Sequence, residues 1–182
     1  MKDWIVAGVD LAVKRPSAYA IAKTSKTGYQ CLKLGKINNS NLAKNISMAN
    51  LIVVDAPLHP PYKGFRSLER KAQKYYGAKL LPGGMAGVRE LSRVGYSLFV
   101  LMVEASRVVV ETHPGSMRKT LGLAESTFDR DIVDAVIALS TGLCLLEGNA
   151  FIIEDTDGVM VLTGEECRSK ILKIIKECLL LL

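Results

Sequence analysis

The chain has 182 residues, 49% of them hydrophobic and 23% charged, with a formal net charge of +6. It is too apolar for disorder and long enough to bury a core, but too short for two large enzymatic domains. The longest late uncharged stretch, Ala135 to Leu146, cannot span a bilayer. The N-terminal apolar run breaks at Asp10, against a signal peptide, so no membrane partner is expected. The four cysteines, Cys31, Cys144, Cys167 and Cys178, form no Cys-x-x-Cys pair. That argues against zinc ribbons and disulfide frameworks and makes a reducing cytoplasm the expected location.

In chain order, Ile5 to Val9 is a β-branched apolar run and predicts a buried strand ending at Asp10. Ala18–Lys23 and Gln30–Lys36 predict two strands joined by a hairpin through Thr24–Gly28. A short helix over Leu42–Ala49 follows Asn38-Asn39-Ser40, and Leu51–Val54 is a second buried strand, stopped by Asp55. Beyond a basic excursion come an amphipathic helix over about Ala86–Ala105 and a third buried strand, Val108–Val110, ended by Glu111 and Thr112. Ser126 is the expected cap of a long helix through about Leu146. Phe151–Leu162 predicts a hairpin turning at Asp157-Gly158, and an amphipathic helix from Glu165 closes the chain. The expected architecture is α/β, one domain over residues 1–182. A mixed five-stranded sheet, three antiparallel strands then two parallel, forms a core over 4–147, with a C-terminal hairpin and helix over 150–182.

The charge is concentrated. Leu58–Arg93 carries eight basic residues against Glu69 and Glu90, so the whole +6 excess lies there. Tyr62, Phe65, Tyr75 and Tyr76 are interleaved with it and offer stacking faces. Arg66, Arg70 and Lys74 recur every four residues, one stripe on a helix, and phosphate binding competes with a plain solvated face.

Three of the most apolar runs end in a carboxylate: Asp10, Asp55 and Glu111. In a parallel arrangement all three share the carboxyl edge of the sheet, where α/β folds bind ligands. The long helix is apolar on every face and opens with Asp131 and Asp134, which lie on one side of it. Macrodipole stabilisation accounts for one such carboxylate. Converging carboxylates repel each other unless a cation joins them, and an all-oxygen set suits Mg²⁺ or Mn²⁺. Two such ions can drive phosphodiester hydrolysis.

Gly8-Val9-Asp10, Val54-Asp55-Ala56-Pro57, Arg66-x-x-Glu69-Arg70 with Gly77, Val110-Glu111-Thr112-His113-Pro114 and Asp131-Ile132-Val133-Asp134-Ala135 occur in that order. Together they resemble the domain of unknown function 429 family of predicted nucleases, over roughly Trp4 to Leu146. The resemblance implies a ribonuclease H-like, RuvC-like fold and a metal-dependent nuclease acting on DNA or RNA. It implies that Asp10, Asp55, Glu111 and Asp134 are catalytic. It also implies that Asp10, Asp55, Asp131 and Asp134 bind Mg²⁺ or Mn²⁺, Asp131 either directly or through a neighbouring ligand. Arg66, Arg70, Lys74 and His113 would then contact substrate. The chain departs from the family after Asp55, where Ala-Pro-Leu-His-Pro-Pro replaces Asp-x-Pro-x-Gly, and at Glu69, where Asp is commoner. A homodimer would suit a junction-cutting role. Two alternatives stand beside this reading: a non-catalytic nucleic-acid-binding protein of the same fold, and a nucleotide-binding relative of the actin-like ATPases and sugar kinases. His59, Ser17 and the Gly83-Gly84 pair carry no comparable chemistry.

Overall fold

The computed structural model describes residues 3–26, 28–121, 123 and 128–182. Strand β1 (Ile5–Asp10) lies in the sheet interior, buried along almost its whole length, as a continuous apolar run requires. It pairs antiparallel with β2 (Ser17–Ser25), which turns back into the edge strand β3 (Gly28–Ile37). On its other side β1 pairs parallel with β4 (Leu51–Asp55), and β4 pairs parallel with β5 (Val108–Glu111). This much agrees with the expected order.

The sheet does not stop at five strands. The C-terminal hairpin, β6 (Ala150–Asp155) and β7 (Gly158–Thr163), joins it through a Glu111–Met160 bridge, giving seven strands in the order β3-β2-β1-β4-β5-β7-β6. Nothing in a hairpin's own sequence says which edge it pairs with, so only the closed core reveals the extension.

Helices cover both faces. Helices α1 (Asn39–Ile46) and α3 (Ala86–Glu104) bury Leu42, Ile46, Leu98 and Met102 against Ala7, Val9, Ile52 and Val54. The opposite face carries α4 (Pro114–Thr120), α5 (Arg130–Leu146) and α6 (Arg168–Leu179). Helix α2 (Ser67–Tyr76) sits on the C-terminal hairpin, Leu68 and Ala72 meeting Ile153, Met160 and Leu162. Every residue of α5 from Asp131 to Cys144 is buried, as its all-round apolarity demands. Its N-cap is Asp129, whose carboxylate accepts from the backbone N–H groups of Asp131 and Ile132. The expected cap, Ser126, lies outside the described residues.

Close packing sets where α5 lies. A Cβ on Gly8 would stand 2.1 Å from the Leu139 nitrogen and 2.2 Å from the Ala135 oxygen, so the helix backbone rests directly on β1. Gly142 makes the same approach over Val6 and Val53. The cysteines depart from expectation. Cys31 pairs with Cys178, tying β3 to α6, and Cys144 with Cys167, tying α5 to the turn before α6. The pairs are 147 and 23 residues apart in sequence. They meet through tertiary packing, which is why no short spacing motif marks them. Among the described residues no helix is long and apolar enough to cross a membrane.

Candidate active site at the carboxyl edge of the sheet

Asp10 and Asp55 end adjacent parallel strands and are register partners, so their side chains leave the same face of the sheet side by side. That face is the one α5 crosses, and the tight Gly8 contact brings the first turn of α5, with Asp131 and Asp134, up to the strand ends. Asp10, Asp131 and Asp134 are all buried, with Asp10 9% exposed, while Asp55 is partly buried. Asp10, Asp55, Glu111, Arg15, His113 and Arg130 line an open cleft of about 460 Å³.

Mutual proximity and loss of water dominate the electrostatics. Burial, then the Asp134 and Asp131 charges, push Asp10 up to about 7, against the pull of Arg15. Burial raises Asp134 to about 6, opposed by Arg118 and Arg130. Asp55 is raised well above the usual carboxylate range by burial and by Asp10, Asp134 and Glu111. Asp129, on the rim, is instead held low by its hydrogen bond from Lys36.

Protein cations other than Arg66, Arg70 and Lys74 surround this edge. Arg15 reaches Asp131 at 2.8 Å and Asp10 at 4.0 Å. Lys36 bridges Asp129 and Asp131, both at 2.8 Å. Arg118 lies 3.0 Å from Asp134, and Arg130 4.0 Å from it. Nothing in the local sequence marks Arg15 or Lys36. For Arg118 the available signal was Pro114, a helix-starting proline directly after His113.

Glu111 lines the same cleft, but its carboxylate is engaged from the other face of the sheet. It pairs in register with Val54 rather than Asp55, so the two-residue strand period turns its side chain to the opposite face, the one that packs on α3. There it accepts two hydrogen bonds from the Arg66 guanidinium and one from the Leu58 N–H. Arg66 also donates to Glu69, which in turn accepts from the Tyr62 hydroxyl and from the Arg66 backbone N–H. The Arg66 guanidinium stacks over the Tyr62 ring, 5.1 Å from its centroid. The Arg66 side chain is 3% exposed, its charge engaged by two carboxylates rather than presented to solvent.

Of the other expected substrate contacts, Arg70 and Lys74 stand exposed on α2, with the Lys74 ammonium 4.9 Å over the Tyr75 ring. Since Arg66 only precedes α2 and turns inward, the three do not form one outward stripe. His113 lies part-buried at the cleft, Nδ1 2.6 Å from Ser116 Oγ, and burial with the Arg118 charge lowers it to about 4. Its imidazole is therefore neutral at physiological pH. His59 instead meets the Pro60 carbonyl and the edge of Tyr62.

Among the described residues no three or more His, Cys, Asp or Glu side chains come together closely enough to hold a metal ion by themselves. The donor chemistry nonetheless fits Mg²⁺, which takes one or two carboxylates and completes its shell with water and substrate phosphate. The buried Asp134 Oδ1 accepts no hydrogen bond, although Arg118 Nε lies 3.0 Å away, and is an oxygen donor of the right kind.

No family model matches the chain, and no curated protein matches it. The resemblance to the domain of unknown function 429 family thus rests on the five motifs. Among solved structures, the chain is similar to Thermus thermophilus RuvC, 15% identical over 79% of this chain and 96% of that one, at a TM-score of 0.46. It is likewise similar to T. thermophilus RuvC in complex with a Holliday junction substrate, 12% identical over 80% of this chain and 96% of that one, at a TM-score of 0.48.

Proposed function

We infer that this protein is a divalent-metal-dependent nuclease that hydrolyses phosphodiester bonds of DNA or RNA at the carboxyl edge of its sheet. The observation that carries the reading is the pairing of Asp10 with Asp55 on parallel strand ends, beneath a buried helix whose first turn adds Asp131 and Asp134. Carboxylates whose proton affinity is raised by burial and mutual repulsion are a poor structural choice unless a cation is to join them. Asp10, Asp55 and Asp134 are the residues that would hold Mg²⁺ or Mn²⁺, with Asp131 holding the Arg15 guanidinium beside Asp10. The metal, when bound, supplies activation of a water and stabilisation of the leaving oxygen. Neutral His113, beside the cleft, is placed to hold or accept a proton at its ring, and exposed Arg70 and Lys74 to attract the phosphate backbone. Glu111, turned to the other face, serves in this reading by fixing Arg66 and the basic segment rather than by touching metal.

The test is cleavage of end-labelled single-stranded, duplex and branched DNA and RNA with Mg²⁺ or Mn²⁺, comparing wild type with Asp10→Asn. Metal-dependent product from wild type and none from the variant is expected. Product that survives Asp10→Asn, or appears equally in chelator, sinks the reading. A second reading, nucleic-acid binding without catalysis, draws on the ion pairs that already engage Asp131 and Asp134. It requires salt-sensitive binding with no metal-dependent product from any substrate.

A further inference from the structure

Among the described residues, two largely buried arginine–carboxylate pairs have opposite character. Arg66 holds Glu111 with two hydrogen bonds and Glu69 with a third, a fork engaged in several directions. Arg118, on α4, is 14% exposed at its side chain and lies 3.0 Å from Asp134 Oδ1 through its Nε. Yet neither that Nε nor that Oδ1 makes a hydrogen bond of acceptable geometry. The pair is held by charge alone. An ion pair removed from water without directional hydrogen bonds recovers little of its desolvation cost, so a competing cation can break it. Arg118 is also central to the edge: its charge acts on Asp55 and His113 as well as on Asp134.

We propose that Arg118 is a resident counter-cation of the acidic edge, holding Asp134 until a divalent metal ion exchanges for it. The role rests on the metal-dependent reading above, and it concerns this chain's own arginine: Arg118 sets how strongly the edge admits metal, whereas Arg66 is structural. Exchange makes guanidinium and metal competitors for one carboxylate oxygen. Removing the guanidinium therefore strengthens metal binding, while removing a true ligand weakens it.

The experiment is calorimetric titration of Mn²⁺ into the full chain as wild type, Arg118→Met and Lys33→Met. The Lys33 variant controls for net charge, being an exposed cation on β3. Arg118→Met is expected to bind Mn²⁺ about tenfold more tightly than wild type, with little change in Lys33→Met. Unchanged or weaker binding in Arg118→Met overturns the proposal, as does an equal gain in Lys33→Met. A measurement on the unaltered protein covers the case in which the variant does not fold: arginine modification by phenylglyoxal, mapped by mass spectrometry with and without Mn²⁺. Exchange requires faster modification at Arg118 when Mn²⁺ is present, and an unchanged or slower rate overturns it. The two readings fail separately. Metal-dependent cleavage by wild type with no gain in Arg118→Met leaves the nuclease and removes the exchange. Tighter Mn²⁺ binding in Arg118→Met with no cleavage of any substrate does the reverse.

Discussion

Replacing Arg66 by Met tests whether its guanidinium holds the fold or serves substrate. The side chains of Arg66, Glu69 and Glu111 are 3%, 3% and 5% exposed, so the substitution leaves two carboxylates buried with no cation beside them. Breaking one partner of a buried ion pair typically costs about 3–5 kcal/mol. In a domain of this size that corresponds to a fall of roughly 6–20 °C in melting temperature. Equilibrium unfolding in urea, followed by tryptophan fluorescence and circular dichroism, measures the loss directly. The double variant Arg66→Met with Glu111→Gln should recover part of it, with an interaction energy of about 1–3 kcal/mol, because the second change removes one of the stranded charges. A loss in the single variant below about 1 kcal/mol, the size usual for an exposed pair, refutes the buried network. It would return Arg66 to the role of a solvent-facing phosphate contact.

Three more perturbations test other parts of the structure. Gly8→Ala forces a Cβ against the α5 backbone. It should cost about 1–3 kcal/mol or more in urea unfolding and lower Mn²⁺ affinity by displacing Asp131 and Asp134, and a neutral effect on both would contradict the docking of α5 on β1. Asp10, raised to about 7, binds a proton in the folded protein that the unfolded chain releases above about pH 4. Its ionisation therefore opposes folding progressively as pH rises through that window. Without metal, the stability of wild type relative to Asp10→Asn should fall from pH 4 to pH 7, a comparison that cancels the opposite slope from His113. A flat difference would deny the shift. Thiol counting under denaturing, non-reducing conditions should find no free cysteine, and reduction should lower stability by about 2–5 kcal/mol, the larger loop being the more costly to release. Four free thiols in freshly purified protein would count against both bridges.

The strand ends were legible because β-branched runs stopping at Asp10 and Asp55 encode both a buried strand and its polar terminus in consecutive residues. The buried helix was legible for a similar reason: its lack of any polar face beyond Asp131 and Asp134 leaves it nowhere to lie but inside. Glu111 shows the limit of that logic. Strand identity and direction were readable, but its face depends on a one-residue alignment between β4 and β5, and local sequence does not encode that alignment. The Arg66, Arg70, Lys74 stripe misled for a related reason. Periodicity is a property of a helix interior, and Arg66 stands at the helix entrance, where its side chain turns inward. The counter-cations Arg15, Lys36 and Arg118 come from a loop, an edge strand and a short helix. They meet only in three dimensions, and so do the cysteine pairs.

The entrance of α2 has one more consequence, for the order in which the chain can mature. The first backbone N–H groups of that helix, at Ser67 and Leu68, are received by the Asp157 carboxylate, and Ser67 and Lys71 bond to Asp155. Both acids sit at the turn between β6 and β7, nearly ninety residues downstream. Strands β1 to β4 can pair early in synthesis, since their contacts are close in sequence. The first turn of the basic helix must wait for these acids until the last hairpin has left the ribosome and docked on β5. Helix α2, within the segment that holds the chain's entire excess of positive charge, is thus completed late, and a chain interrupted before Asp155 would leave its first turn without these partners.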